Sequence, residues 1–390
     1  MAWFDSDRMA ACMSSPKTGM TDFRRCFTLL TVAVISEQEH RRMNIQALIS
    51  IDELTVIDGP LGQDAGTLVL FASLGRFKAR MREACQVLLR RADPVTQENC
   101  RLRMAPAFRA LTEGFDAWSR CDMPATLRHE VGALMQREML PYLLMTEVAE
   151  RFYAKPRGYA GDYLTIDMIY RNQPGGYGRL GPLIDACFLD EPAARAVRNR
   201  RALMAAEILH VLDARPDARI CSLACGPAYE IRDIFSAYPN VPARFTAIDS
   251  DREALDFVNR WVAKAGVETR LSTLRGNLVY LAIGRDTLPL VPQDFIYSIG
   301  LIDYFSDKLV IGLLDWIHAS LKPGGRVLLG NFHPQNVNRA FMDHVLEWRL
   351  IHRGEADMDR LFQASSFARP ATRVFMEDEG VNLFAECIKN

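Results

Sequence analysis

The stretch Arg219-Ile220-Cys221-Ser222-Leu223-Ala224, running into Cys225-Gly226-Pro227-Ala228, sets the fold. A short apolar run that stops at a Gly-Pro turn reads as a buried strand followed by a tight connection. The same alternation continues downstream: strand 244–248, helix 253–265, strands 269–274 and 294–298, helix 308–320 and strand 326–330. Strands interleaved with helices predict an α/β fold with a mostly parallel sheet covered on both faces. After a long helix predicted over 337–351, segments 373–377 and 382–388 flank Asp378-Glu379-Gly380. Two strands joined that closely must pair antiparallel, so the sheet should end in a hairpin.

Upstream of this region the period is helical. Leu70, Leu74, Phe77, Met81, Val87 and Leu88 mark an amphipathic helix over 67–91. Helices follow at 94–119 and 125–152, the latter kinked or broken at Pro141. Glycine-rich breaks at 155–163 and 174–178 precede a helix at 193–212. The chain therefore divides into an unassigned segment 1–42, a mainly helical region 43–153, a glycine-rich lid and linker 154–192, and an α/β domain 193–390.

Composition excludes several classes. With 390 residues, 49% hydrophobic and 24% charged, the chain has the balance of a globular protein. A net charge of -1 argues against nucleic acid as the main partner. Nine cysteines without a CxxC spacing point to reduced thiols and a cytoplasmic protein. The apolar run 27–35 is far short of the ~20 residues of a membrane span, so no stable membrane insertion is expected. Cys221 and Cys225 do not form a chelating pair and no histidine cluster completes a tetrahedron, so no metal is expected. The oligomeric state stays open.

The chemistry gathers past the carboxyl ends of the strands, where a doubly wound sheet binds ligands. Gly226 lets a ligand approach the backbone, and the absence of a full GxGxxG disfavours a dinucleotide pyrophosphate. Asp249, about twenty residues further on, suits an acid that accepts hydrogen bonds from ribose hydroxyls. Asp251 is better placed than Asp249 to cap the following helix.

Arg275-Gly276-Asn277, Ser298-Ile299-Gly300-Leu301-Ile302-Asp303-Tyr304 and Leu321-Lys322-Pro323-Gly324-Gly325-Arg326 complete the pattern. In this order the elements resemble the class I S-adenosylmethionine-dependent methyltransferases over roughly 193–390, the last being the most specific. The resemblance implies a Rossmann-like sheet with S-adenosyl-L-methionine as cofactor. Ala224 and Gly226 would hold its methionine part, Asp249 the ribose and Asn277 the adenine, with Gly300 also on the cofactor side. Cys225-Gly226-Pro227-Ala228 departs from the family's usual glycine-rich run.

Lys155 to Tyr170, KPRGYAGDYLTIDMIY, with YSIGLIDYFSD and EDEGVNLFAECIK, is similar to a narrower bacterial group. That group is the methyltransferases of 3-hydroxypalmitic acid methyl ester biosynthesis, which make a quorum-sensing signal. The similarity implies a small-molecule acyl substrate and O-methylation of the carboxyl group of a 3-hydroxy fatty acid. A carboxylic acid is already ionised at neutral pH, so the site needs positioning and desolvation and no general base. Arg157 would orient the carboxylate, Tyr159 and Tyr163 would wall the transfer zone, and Tyr304 and His333 would face the acceptor. Competing readings pair Arg157 with Asp162 inside the loop and make His333 a structural hydrogen-bonder. Two alternatives remain: an N-methyltransferase on a small amine, held by Asp303, and a non-catalytic regulator that binds the same cofactor.

Overall fold

The computed structural model describes residues 65–390. The segment assigned to 1–42 lies outside the described residues. Six helices come first: α1 (Ala65–Arg90), α2 (Pro94–Ser119), α3 (Ala125–Leu143), α4 (Val148–Ala154), α5 (Tyr163–Arg171) and α6 (Gly181–Leu189). Pro141 lies in the last turn of α3, and the chain breaks there as expected before α4 begins.

Helix α7 (Pro192–Ala214) leads into the sheet, whose strands are β1 (Arg219–Leu223), β2 (Arg244–Asp249), β3 (Leu271–Arg275), β4 (Gln293–Ser298), β5 (Leu321–Phe332), β6 (Arg373–Met376) and β7 (Asn382–Ile388). They lie in the order β3-β2-β1-β4-β5-β7-β6. The first five run parallel, and β7 is antiparallel to both β5 and β6. This is a doubly wound, Rossmann-like sheet finished by the expected hairpin.

The strands read as continuous apolar runs because both faces are buried, and the period of two sends alternate side chains to opposite cores. Ile220, Phe245, Phe295, Tyr297, Leu328 and Phe384 pack on one face with α7, α8 (Tyr229–Ala237) and α9 (Arg252–Ala265). Cys221, Ile248, Ile296, Val327, Leu329 and Leu383 pack on the other with α10 (Leu278–Ala282) and α11 (Asp307–Ser320). The Lys-Pro-Gly-Gly segment is looped out inside β5, opposite a register shift between Gln293 and Phe295. A Cβ on Gly325 would lie 2.9 Å from Lys322 O and 3.0 Å from Gln293 O, so the second glycine is needed for close backbone approach.

The segment read as lid and linker over 154–192 holds α5 and α6, and the segment after β5 differs from its sequence reading too. The helix expected over 337–351 is only α12 (Arg339–His344), followed by an irregular segment and then α13 (Glu355–Ala364). The irregular backbone satisfies itself on the end of the sheet instead of on its own preceding turn. Ile351 N donates to Asp303 O, Asn331 Nδ2 donates to Ile351 O and Arg353 N donates to Phe332 O. Arg353, 2% exposed, fixes this path by donating to the carbonyls of Ile302 and Phe305 and to Asn331 Oδ1.

A Cβ on Gly312 of α11 would lie 2.1 Å from the carbonyl oxygen of Ala282, the last residue of α10. Gly312→Ala must therefore displace backbone, and we expect a loss of ~1–3 kcal/mol, the range of overpacked cores. Urea unfolding followed by circular dichroism measures it, and an unchanged midpoint contradicts the close approach of α10 and α11.

Candidate active site

The turn after β1 runs through three left-handed residues: Ala224 at φ 51°, Gly226 at φ 51° and Ala228 at φ 50°. Only glycine reaches this region without cost, and an L-residue there costs on the order of 1–2 kcal/mol. The two alanines thus keep the conformation that a glycine-rich run would adopt freely. The turn presents the Gly226 amide upward, and Asp249 at the end of β2 receives it: Asp249 Oδ2 accepts from Gly226 N at 3.0 Å and Oδ1 from Asp251 N at 2.9 Å. Asp249 is buried, and burial raises its pKa against the backbone amides of Asp251 and Gly226 and, more weakly, of Ser250. A carboxylate offers about four acceptor positions, so two backbone donors leave room for two more. Asp251 caps α9 by accepting from Glu253 N, as its position in the sequence indicated.

The glycine-rich loop 155–163 lies over this turn. Its nearest approach puts Tyr163 Cβ 4.0 Å from a Cβ built on Gly226. Arg157 is the strap: Nη1 donates to Asp251 Oδ2 at 2.7 Å, Nη2 donates to Glu253, and the guanidinium sits 4.9 Å from the centre of the Tyr163 ring. The loop-internal pair of Arg157 with Asp162 is not formed. Asp162 accepts instead from Arg151 at 2.6 Å and caps α5 through Thr165 N. The guanidinium assigned to an acceptor carboxylate is thus engaged with two protein carboxylates.

Tyr159 and Tyr304 meet edge to face, with centroids 6.3 Å apart. Burial raises the pKa of the Tyr159 hydroxyl, and the charges of Asp249 and Asp251 add to it, which places this ring beside the same acids. Tyr304 Oη accepts from Trp348 Nε1 at 2.9 Å. A Cβ on Gly161 would lie 2.8 Å from that oxygen, so this glycine is what lets the loop settle against Tyr304. Tyr159, Tyr163, Tyr304, Gly226 and Asp249 are thereby brought to one crevice.

Three other expected residues are engaged elsewhere. Asn277 Oδ1 accepts from Val279 N and Tyr280 N and caps α10 at the end of β3. His333 Nδ1 accepts from Gln335 N at 3.3 Å, while Nε2 lies 3.5 Å from Glu355. Asp303 is turned inward, where Oδ1 accepts from Phe332 N at 2.6 Å. Gly300 lies just past β4, against the guanidinium of Arg200.

Sequence reasoning missed Arg200, Glu230 and Trp348. Glu230 is buried behind the turn, accepts from Tyr297 Oη at 2.8 Å, and has its pKa raised by burial. An acidic residue one position into a short helix resembles any first-turn acid, and Trp348 lay in a segment read as helix. Only tertiary packing shows that both approach the crevice.

Two measurements test this geometry. Arg157→Gln removes the strap, whose partners are partly exposed, so the gain in opening should be modest. About fivefold faster amide exchange across 156–163 is expected, equivalent to ~1 kcal/mol. Unchanged exchange there means that the ion pairs do not hold the loop. Asp303 has its pKa raised to about 6, chiefly by burial. A raised carboxyl pKa contributes stability below the unfolded value that is lost as pH climbs through the folded one. Asp303→Asn keeps the acceptor for Phe332 N and removes this loss. Its stability relative to wild type should therefore rise by about 2–3 kcal/mol between pH 4 and pH 7, at 1.36 kcal/mol per pKa unit. Parallel stability curves would show that Asp303 titrates normally.

Residues 158–380 match the protein family described as "Putative methyltransferase". Among solved structures, a "possible exported protein" from Bordetella parapertussis is similar at 18% identity and a TM-score of 0.48, covering 85% of this chain and 99% of that one. The magnesium protoporphyrin IX methyltransferase of Synechocystis PCC 6803, solved with bound SAH, is similar at 11% identity and a TM-score of 0.42, covering 62% and 98%. No curated protein matches. No helix among the described residues is long and apolar enough to cross a membrane. The family match extends over more than half of the chain, from the lid through the strands that build the crevice to the terminal hairpin, and the chain belongs to this methyltransferase family.

Proposed function

We propose that the protein is an S-adenosylmethionine-dependent methyltransferase that esterifies the carboxyl group of a hydrophobic acid, with a 3-hydroxy fatty acid as the favoured acceptor. The observation that carries the cofactor is Asp249, a buried carboxylate that spends two acceptor positions on Gly226 N and Asp251 N and keeps the rest. A diol fits such a group. Gly226 leaves the space above the turn free of side-chain atoms up to Tyr163. When bound, the cofactor supplies an electrophilic methyl group on a sulfonium. Ala224 and Gly226 would lie along its methionine part, Asp249 would hold the ribose, and Asn277 and Gly300 would flank it.

The rest is done by this chain's own residues. The loop with Tyr159 and Tyr163 covers the crevice and excludes water, and aromatic faces suit a neighbouring cation. Tyr304 is oriented by the Trp348 hydrogen bond and offers its hydroxyl proton to the acceptor side. A carboxylate nucleophile needs no base, which suits a crevice whose histidine is tied to Gln335 and Glu355.

Support for an apolar acceptor comes from a small cavity of about 40 Å³ lined by Phe152, Phe188, Phe332, Phe341, Met342 and Trp348, among others. It shares Trp348 with the crevice. A long chain enters it only by moving adaptable side chains such as Met342. A cytoplasmic location belongs to the same reading, supported by the free thiols of the described cysteines.

Incubation with S-adenosylmethionine and 3-hydroxypalmitate, followed by mass spectrometry, should show an acid that gains one methyl. A methylated amine and no ester would move the reading to N-methylation. For the cofactor, Asp249→Ala should lose ~2–3 kcal/mol of S-adenosylhomocysteine affinity by calorimetry, the worth of charge-assisted hydrogen bonds. Wild-type affinity in this variant removes Asp249 from the ribose.

A further inference from the structure

Helix α7 carries four arginines, two of them with conventional partners, while Arg198, half-buried, leaves one Nη without a hydrogen-bond partner. Arg195 is bound to Glu379 through two nitrogens, and Arg201 to Asp233 in the same two-pronged way. Arg200 is different. It is 6% exposed, makes no ion pair with any described carboxylate, and its Nε has no hydrogen-bond partner. Its guanidinium lies at the carboxyl end of β4, where a Cβ on Gly300 would be 3.1 Å from both Nη1 and Nη2. Any other residue at 300 would have to push the guanidinium aside.

Four groups sense this charge: the hydroxyl of Tyr170, which is also within hydrogen-bonding reach of the guanidinium, that of Tyr304, and the carboxyls of Glu230 and Asp303. Neither acid is a true counter-ion. Glu230 is turned to Tyr297 and Asp303 to Phe332 N. A buried guanidinium without a paired anion is costly, and folded proteins keep such groups where a ligand completes them. Its guanidinium, at the carboxyl end of β4 and near enough for its charge to act on the Tyr304 hydroxyl, is on the side where an acceptor would lie to meet a cofactor held over Gly226 and Asp249.

We propose that Arg200 is the carboxylate receptor of this site, binding a ligand carboxylate through its planar fork beside Gly300 and Tyr304. The assignment rests on the reading of the crevice as a methyl-transfer site, and it replaces Arg157, whose guanidinium is occupied by Asp251 and Glu253. Two carboxylates are chemically eligible, that of the acceptor and that of the cofactor's amino-acid end. The acceptor is favoured because Arg200 neighbours Tyr304 and Asp303, past β4 and away from Asp249.

Calorimetric titrations of wild type, Arg200→Met and Arg200→Lys decide this with five compounds of four kinds. These are hexadecanoate and dodecanoate as the acids, the uncharged hexadecan-1-ol, S-adenosylhomocysteine, and methylthioadenosine, which lacks the amino-acid carboxylate. Arg200→Met should lose ~10- to 100-fold in fatty-acid affinity, as for hydrogen bonds to a charged group. Hexadecan-1-ol and S-adenosylhomocysteine should stay within about threefold, and this retention also shows that the variant is folded. Arg200→Lys should recover only part of the loss, because an ammonium lacks the two-pronged match. If S-adenosylhomocysteine weakens while methylthioadenosine does not, the receptor serves the cofactor's carboxylate. Unchanged affinity for every probe overturns the proposal, as does a wild-type protein that binds S-adenosylhomocysteine but neither acid. Arg200-dependent binding of the acids without any methyl ester formed would sink the proposed reaction and leave the receptor standing.

Discussion

The carboxylate of Asp249 is the point on which the working end of the molecule depends. It joins the turn after β1 to the end of β2 by accepting from Gly226, and it orders the start of α9 by accepting from Asp251. Asp251 in turn holds Arg157, Arg157 lies over Tyr163, and Tyr163 returns to Gly226. The contacts form a closed ring around the place where a ligand would sit. Removing any member loosens the others, because each hydrogen-bonding group has its partner chosen by the next.

This ring explains why the sheet was legible in the sequence and the site only in part. Strands such as 219–223 and 244–249 announce themselves because both faces are buried and their composition is uniform. Asp249 and Gly226 are set by the same local grammar of strand, turn and helix. Arg157 was read as orienting an acceptor carboxylate, whereas its guanidinium donates to Asp251 and Glu253, acids more than ninety positions away in sequence. The segment 345–354 was read as helix because its apolar spacing allows one. Arg353 overrides that propensity by drawing the backbone onto the carbonyls of Ile302 and Phe305. Arg200 had no local signature: an arginine in an arginine-rich helix looks like a solvated residue until the strands are packed beneath it.

Several costs of the fold fall at the carboxyl ends of β1, β2 and β4. Two alanines sit in the left-handed region, and Asp249, Glu230 and Asp303 are buried with raised pKa values. At the opposite end of the sheet Asp294 receives Lys322 at 2.6 Å and the Arg219 amide at 2.9 Å.

The hairpin has a consequence for how the protein comes into being. Strand β7 lies between β5 and β6, and β5 stays an open edge until residues 382–388 arrive to pair with it. The segment between β5 and that pairing carries Trp348 and Arg353, which lock Tyr304 and the loop after β4. Sheet closure and site assembly are therefore one event during synthesis. A nascent chain that has made β1 to β4 already holds the turn and the acid, yet lacks Trp348 against Tyr304 and the backbone path that Arg353 fixes. A stalled fragment would expose the edge of β5 to aggregation.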